Sequence, residues 1–258
     1  MERAVLITGA TGGLGREFAR QYAKDGCDLV LVARSQAALD GLAGELRGAY
    51  GVEAATFACD FSDAGAPSRL YEWTREQGIG VETLVNNAGF GYDAAFMESD
   101  LTRQEALVEL NVAALTRMTR LFGADMAKRG SGGILNVASI ASYPEGPYLA
   151  TYYASKVYVR SLTEAVHTEL LGSGVHVCAL CPGPVRTDFW ERAAAGNTVL
   201  AHLAVRPERV VAAGRRALRW NLSSYVPGLA WKFVAFATRL LPRSWVRLAA
   251  AQLQKPEK

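Results

Sequence analysis

The sequence predicts an α/β domain built on a doubly wound parallel sheet of seven strands, with helices on both faces and a helical extension at the C-terminal end. Short apolar runs recur along the chain without polar alternation, as in strands that are buried on both faces. Stretches of helical periodicity separate most of these runs, and such alternation favours a parallel sheet. The 258 residues contain no linker, repeat or low-complexity segment, so we expect one domain spanning residues 1–258.

Seven segments are predicted to form the strands of the sheet. They are residues 4–7, 28–33, 54–59, 81–85, 134–138, 175–181 and 224–228. Residues 102–128 predict one long helix, and the helix after the fifth strand extends to about residue 171. Asn111 lies within the apolar pattern of the long helix. A buried amide must find hydrogen-bonding partners, or else it bends the helix to hold a water.

The cysteine content argues against both a disulfide scaffold and a metal site. Four cysteines (Cys27, Cys59, Cys178 and Cys181) are too few for a disulfide framework, so we expect reduced thiols and an intracellular compartment. Cys178 and Cys181 have the spacing of a zinc or redox motif, but they lie in a predicted strand. Residues three apart on a strand face opposite sides of the sheet, so one metal could not easily bind both. We expect no metal.

The C-terminal part of the chain is basic, although the net charge is only +3. Residues 206–258 contain eleven Lys and Arg against two Asp and Glu, a balance of +9, so the first 205 residues carry −6. The extension, residues 229–258, has helical periodicity that Pro242 should break. Three interpretations stay open: a surface between subunits, a lid packed on the domain, and a peripheral membrane contact. The sequence predicts no signal peptide, no membrane-spanning segment and no nucleic-acid-binding motif.

A glycine-rich turn follows the first predicted strand and begins a helix. Gly9 permits a tight turn, Gly13 lets the backbone approach a pyrophosphate, and Gly15 lets the helix pack close to the strand. The free N–H groups and the partial positive charge of the helix N-terminus suit that pyrophosphate. Because the turn lies between a strand and a helix, it predicts dinucleotide binding.

The end of the second strand indicates which dinucleotide is bound. An NAD site usually has Asp or Glu there to hold the ribose hydroxyls, whereas this strand is followed by Arg34 and Ser35. A guanidinium at this position can pair with a 2′-phosphate, so we expect NADP(H) rather than NAD(H). The alternative is that Arg34 is simply exposed before a helix that Ser35 caps. Asp60 either accepts a hydrogen bond from the adenine amino group or serves a turn.

Tyr152 and Lys156 are the candidates for proton transfer. Residues four apart share one face of a helix, and an ammonium beside a phenol should lower the pKa of that phenol. Ser139 lies thirteen residues before Tyr152, at the carboxyl end of a predicted strand, where open α/β sheets bind their ligands. A lone Tyr-x-x-x-Lys is common by chance, so the assignment depends on the rest of the chain.

Taken together, these motifs resemble the single-domain short-chain dehydrogenases/reductases, whose fold is the Rossmann fold. The match comprises Thr8-Gly9-x-x-x-Gly13-x-Gly15, Asp60, Asn86-Asn87-Ala88-Gly89, Asn111, Ser139, Tyr152-x-x-x-Lys156 and Pro182-Gly183, in that order. About thirty residues follow the seventh strand. This tail is more similar to the hydroxysteroid and ketoacyl-CoA reductase side of the family than to the ketoacyl-carrier-protein reductases.

The resemblance implies a role for each matching position. The catalytic residues would be Asn111, Ser139, Tyr152 and Lys156: Tyr152 as general acid, Ser139 on the substrate oxygen, Lys156 on the nicotinamide ribose, and Asn111 on a relay water. Thr187 would contact the nicotinamide amide. The cofactor-binding residues would be Thr8, Gly9, Thr11, Gly13, Leu14, Gly15, Arg34, Asp60, Phe61, Asn87, Ala88, Gly89, Tyr152, Lys156, Pro182, Gly183, Val185 and Thr187.

The predicted function is an NADPH-dependent carbonyl reductase, reversible as an alcohol dehydrogenase. Residues 188–205 would form the substrate lid, and Phe189 and Trp190 would either give it an apolar inner surface or merely pack it on the core. We expect a small, apolar or partly apolar substrate, a cytoplasmic location, and a homodimer or homotetramer. Two other functions stay open: an epimerase or dehydratase of the same superfamily, and a non-catalytic NADP-binding regulator.

Overall fold

The fold is a parallel sheet of seven strands in the order β3-β2-β1-β4-β5-β6-β7. It is seen in a computed structural model that describes residues 1–187 and 204–254. The strands are β1 (Ala4–Thr8), β2 (Asp28–Ala33), β3 (Ala54–Ala58), β4 (Val81–Asn86), β5 (Gly132–Val137), β6 (Val175–Leu180) and β7 (Ser224–Tyr225). Every neighbouring pair is parallel. The predicted seven-stranded doubly wound sheet is therefore confirmed.

Helices connect the strands and cover both faces of the sheet. They are α1 (Gly13–Lys24), α2 (Gln36–Tyr50), α3 (Ala66–Glu76), α4 (Leu101–Val108), α5 (Leu115–Arg129), α6 (Ala150–Glu169), α7 (Pro207–Arg219), α8 (Leu229–Leu240) and α9 (Arg243–Gln254). Short 3₁₀ turns lie at Phe96–Glu98 and Ile140–Ser142. Among the described helices, none combines the length and hydropathy that a membrane span requires.

Two apolar cores, one on each face, explain why the strands show no alternation in the sequence. Ile7 and Leu31 belong to the core under α1, α2 and α7, while their neighbours Leu6 and Val30 belong to the core under α3 and α5. Successive residues of a strand point to opposite faces, and both faces are covered here, so both kinds of position are apolar. Cys178 belongs to the first of these cores, whereas Cys181 belongs to a separate apolar cluster, so the two thiols lie in different surroundings as their predicted strand positions require. The described residues contain no cluster of metal-ligating side chains.

Two elements differ from the sequence prediction. The predicted long helix consists of α4 and α5 joined by a π-helical turn, Glu109–Ala114, which contains Asn111. Such turns insert an extra residue into the helix and are frequent at functional sites. The seventh strand has two residues rather than five. Pro227 has no N–H to donate, and Gly228 adopts a φ of +89°, so the chain leaves the sheet after Tyr225.

The order of the strands determines where a ligand can bind. The chain leaves β1 toward β2 on one side and returns to β4 on the other, so a crevice opens between the carboxyl ends of β1 and β4. The C-terminal helices α8 and α9, which Pro242 separates as predicted, lie over this end of the sheet. Trp231 and Ala235 of α8 belong to one apolar cluster with Ala179 of β6 and with Cys181, which follows β6.

Candidate active site

A cleft of about 890 Å³ occupies the carboxyl ends of the strands, where the sequence predicts the site. Most of the predicted cofactor-binding residues line it: Gly9, Thr11, Gly13, Leu14, Arg34, Asp60, Phe61, Asn87, Ala88, Gly89, Tyr152, Lys156, Pro182, Gly183, Val185 and Thr187. The predicted catalytic residue Ser139 lines it too. Thr8, Gly15 and Asn111 are not among the lining residues, and each supports the cleft from behind.

The glycines of the β1–α1 turn are required by close backbone contacts. Gly9 has a φ of +64°, which residues with side chains rarely adopt. A Cβ on Gly15 would lie 2.1 Å from the carbonyl oxygen of Gly9, so α1 packs directly on the turn, as predicted. A Cβ on Gly13 would lie 2.3 Å from Cγ2 of Thr187. The close approach at Gly13 is therefore to the loop after β6, in addition to the predicted approach of a pyrophosphate.

Thr8 and Asn87 fasten the glycine turn to the loop after β4. The Thr8 hydroxyl accepts hydrogen bonds from the backbone N–H groups of Asn87 and Ala88, both at 3.0 Å. In return, the amide nitrogen of Asn87 donates to the carbonyl oxygens of Thr8 at 3.0 Å and of Gly9 at 3.2 Å. These bonds fix the two walls of the crevice at a set distance. Thr8 thus positions the cleft from beneath.

Arg34 places a positive charge at the edge of the cleft beside the glycine turn. Its side chain is exposed, lines the cleft, and makes no salt bridge or hydrogen bond with the part of the chain that the structure describes. Ser35 caps α2 by accepting a hydrogen bond from the N–H of Ala38 at 3.3 Å. Asp60 also lines the cleft, and its Oδ1 accepts from the N–H of Ser62 at 2.9 Å. A guanidinium without a protein partner is suited to a phosphate ligand.

Ser139 and Tyr152 meet inside the cleft. Ser139 follows β5 in an extended conformation, and its Oγ accepts from the N–H of Ala141 at 3.1 Å. Its hydroxyl is hydrogen-bonded to that of Tyr152, whose side chain comes from the first turns of α6. Tyr152 is 8% exposed, and this burial raises its pKa above the usual value, while the bond to Ser139 partly opposes the shift.

The direction of this shift differs from the sequence prediction, which gave Tyr152 a lowered pKa. Lys156 Nζ lies 5.7 Å from the centre of the Tyr152 ring and donates to the carbonyl oxygen of Val137 at 2.9 Å. At this separation the effect of the ammonium is smaller than the cost of burying a phenolate. Lys156 is itself buried, which lowers its pKa to about 8. Tyr152 is therefore protonated at neutral pH, and Lys156 is close to titration.

Asn111 holds the surroundings of Lys156 in place. Its Oδ1 accepts from the N–H of Phe90 at 3.2 Å, and its Nδ2 donates to the carbonyl of Phe90 at 3.0 Å and to Ser155 Oγ at 3.1 Å. A Cβ on Gly89 would lie 3.0 Å from Asn111 Oδ1 and 3.6 Å from Lys156 Nζ, so both groups reach the same point. The π-helical turn directs this amide toward the loop after β4. The amide thus has the hydrogen-bonding partners that the sequence analysis said a buried asparagine requires.

The half of the cleft away from the predicted cofactor-binding residues, which we call the distal half, is lined by residues that the sequence did not single out. These residues are Phe90, Arg103, Ala106, Leu110, Ile140, Pro144, Leu149, Tyr153, Trp231, Phe233, Val234, Ala237, Thr238, Leu241, Val246, Ala249, Ala250 and Gln254. The amide nitrogen of Gln254 donates to the hydroxyl of Tyr153, which joins the end of α9 to α6. The extension therefore packs on the domain and forms a wall of the cleft, which corresponds to the second of the three interpretations, a lid packed on the domain. Its small residues Ala237, Ala249 and Ala250 were the sequence feature that could have indicated this wall.

The predicted lid falls almost entirely on residues whose structure is not described. Phe189 and Trp190 lie outside the described residues. The last two residues of the segment are described, and Val205 forms a parallel bridge with Val185.

Comparisons with known proteins agree with this geometry. The family model for short chain dehydrogenases matches residues 3–198. The very-long-chain 3-oxoacyl-CoA reductase of Anas platyrhynchos is 34% identical over 188 residues, which are 70% of this chain and 59% of that protein. The chain spans between 51% and 63% of several further curated reductases.

Solved structures of short-chain dehydrogenases have the same fold as this chain. A short-chain dehydrogenase from Sphingobium yanoikuyae in complex with NADPH superposes with a TM-score of 0.82 at 29% identity, covering 93% of this chain and 94% of that one. A 7β-hydroxysteroid dehydrogenase gives 0.88 at 26% identity, covering 97% and 96%. The resemblance to the hydroxysteroid and ketoacyl-CoA reductase side is thereby confirmed. The chain belongs to the short-chain dehydrogenase family of oxidoreductases.

Proposed function

We propose that this chain is an NADPH-dependent oxidoreductase that reduces the ketone or aldehyde of an apolar or partly apolar small molecule, or oxidises the corresponding secondary alcohol. The supporting observation is the position of the hydrogen-bonded Ser139 and Tyr152 hydroxyls, in one cleft with the glycine turn and with Arg34, which has no salt-bridge or hydrogen-bond partner among the described residues. This arrangement places a proton donor where a carbonyl oxygen can lie beside a bound dinucleotide. NADP(H) is the cofactor that the sequence predicts and that the cleft suits.

In this proposal the residues of the chain supply the proton and the cofactor supplies the hydride. Tyr152 holds its proton at neutral pH, as an ordinary phenol does, and burial raises its pKa further, so it can act as the acid as charge develops on the substrate oxygen. Ser139 donates a hydrogen bond to the same oxygen. Lys156, beside the Tyr152 ring, stabilises the phenolate that remains, and Asn111 fixes the loop and helix around that lysine.

The apolar distal half of the cleft indicates the class of substrate. Ala237 of α8, Val246 and Ala250 of α9, and Leu241 between the two helices present hydrocarbon to it. Two proteins that resemble this chain are named for substrates with a large hydrocarbon part, the very-long-chain acyl group of a 3-oxoacyl-CoA and the skeleton of a hydroxysteroid. We infer a ketone on a lipid-like carbon skeleton. A panel of 3-oxoacyl thioesters, ketosteroids and ketose sugars, followed by NADPH absorbance, tests this. Turnover of the sugars alone would contradict it.

The pH dependence of ketone reduction should follow Lys156. Burial lowers its pKa to about 8, so the ammonium is present below that pH and lost above it. We expect kcat for ketone reduction to fall about tenfold per pH unit above pH 8, because an uncharged amine does not stabilise the phenolate. Lys156→Arg keeps its charge and should move the fall to higher pH. A kcat that stays level up to pH about 10 would show that Lys156 is not the titrating group.

Arg34 should determine the choice between NADPH and NADH. Arg34→Asp removes the partner of the 2′-phosphate and adds a carboxylate that suits ribose hydroxyls, so the ratio of kcat/KM for NADPH to that for NADH should fall about a hundredfold. Arg75→Asp makes the same charge change on α3, away from the cleft, and should leave the ratio unchanged. An unchanged ratio in Arg34→Asp would mean that another group holds the phosphate.

The assembly and the location belong to this proposal as well. We expect a homodimer or homotetramer without nucleic acid, in the cytoplasm. Light scattering after gel filtration measures the subunit number directly.

A further inference from the structure

The two C-terminal helices, α8 and α9, are together apolar on two sides. One side lines the cleft through Ala237, Leu241, Val246 and Ala250. The other side, which we call the outer face, consists of Leu229, Phe236, Leu240, Trp245 and Leu248, with exposed fractions of 85%, 58%, 70%, 66% and 64%. A surface helix normally covers its core with one apolar side and presents polar residues on the other. The exposed outer face therefore indicates a binding surface.

The outer face forms a stripe with positive charge beside it. At 100° per residue, Leu229, Phe236 and Leu240 lie within an arc of about 40°, and Lys232 and Arg239 lie next to that arc. Residues 229–254 contain four cations (Lys232, Arg239, Arg243 and Arg247) and no Asp or Glu. All four side chains are exposed. An apolar stripe with cations at its side is typical of helices that lie in the surface of an anionic membrane.

A second copy of the chain fits this surface less well than lipid does. A two-fold interface brings the same patch of each subunit together, so the four cations would face four more. Like charges across an interface disfavour association, whereas anionic headgroups complement them. Each helix has 12 residues and so extends about 18 Å, which is too short to cross a bilayer of about 30 Å. The two helices are therefore suited to lying in a membrane surface and not to crossing it.

The rim of the cleft adjoins the outer face. Phe233 and Val234 of α8 line the cleft and are also 71% and 38% exposed, and Leu241 between the helices is 47% exposed. Apolar surface thus continues from the outer face into the cleft. We propose that the outer face docks on an anionic lipid surface, with the cleft opening at that surface so that lipid-dissolved molecules can enter.

Vesicle flotation of the full-length chain tests the proposal without measuring turnover, so its outcome is independent of the proposed function. We expect the chain to float with vesicles of equal parts phosphatidylcholine and phosphatidylglycerol, and at least about tenfold less with phosphatidylcholine alone. Trp245→Ser should weaken binding to the anionic vesicles about tenfold, because one aromatic side chain no longer enters the lipid on docking. Trp220→Ser is the matched control, since Trp220 is 65% exposed and lies outside α8 and α9.

Two controls and three results decide the question. Thermal unfolding should be alike in both Trp variants, and reduction of a water-soluble ketone should be unchanged. Failure of the wild-type chain to float overturns the proposal. An equal loss in Trp245→Ser and Trp220→Ser does so too, because any exposed aromatic would then suffice. A dimer that Trp245→Ser dissociates, with no vesicle binding, assigns the outer face to a second copy instead.

Discussion

Tyr152→Phe should lower kcat for ketone reduction about a thousandfold while NADPH binding stays nearly unchanged. The substitution removes one hydroxyl, the group that is hydrogen-bonded to Ser139 and holds the proton to be transferred. The ring remains, packed against Leu107, Ala141 and Leu149, so the cleft should keep its shape. Stopped-flow absorbance gives kcat, and quenching of protein fluorescence gives the NADPH affinity.

Tyr153→Phe is the control for this experiment. Tyr153 is the next residue on α6, lines the same cleft, and has its hydroxyl bonded to Gln254 rather than to Ser139. Its loss should raise KM, through a looser wall, and leave kcat within about threefold of wild type. If Tyr152→Phe retains substantial activity, or if the two variants behave alike, Tyr152 is not the acid.

The sequence predicted the sheet well because the sheet is covered on both faces. Runs such as Leu29–Val32 read as strands without any knowledge of the fold, since every side chain in them is buried. The seventh strand was less predictable. Its pairing with β6 ends at Tyr225, and the sequence pattern did not show how soon Pro227 and Gly228 would take the chain out of the sheet.

The cofactor half of the site was also predictable, because its residues lie at the ends of strands that the sequence defines. The direction of the shift in the pKa of Tyr152 was not predictable. This direction depends in part on burial by Leu107 of α4, which is distant in sequence. Local spacing shows that Lys156 is near Tyr152, but it does not show how much water the tertiary fold excludes.

The wall made by α8 and α9 could not be assigned from the sequence for a related reason. Apolar residues lie on two sides of these helices, so periodicity alone cannot say which side covers the cleft. Trp231 decides it in the structure: a Cβ on Gly183 would lie 2.4 Å from the Trp231 ring, so α8 packs on the loop after β6. This contact links the extension to the cofactor half of the cleft.

Gly15→Ala should weaken NADPH binding about a hundredfold and destabilise the fold by about 3 kcal/mol, which is roughly 10 °C in Tm. The new methyl would lie 2.1 Å from the Gly9 carbonyl oxygen and 2.8 Å from Asn87 Nδ2, so α1 must move away from the turn. That movement displaces both walls of the crevice, because Asn87 bonds to the carbonyls of Thr8 and Gly9. Calorimetry gives Tm, and fluorescence titration gives the affinity.

Gly12→Ala makes the same chemical change three residues earlier in the same turn, and it distinguishes a steric cause from a general loss of flexibility. Its methyl would meet the Gly9 carbonyl oxygen at 3.5 Å, an ordinary van der Waals contact, and its φ of −85° suits any residue. We therefore expect Gly12→Ala to stay within about 1 kcal/mol of wild type. Equal losses in both variants would mean that flexibility of the turn, and not the packing of α1 on it, controls dinucleotide binding.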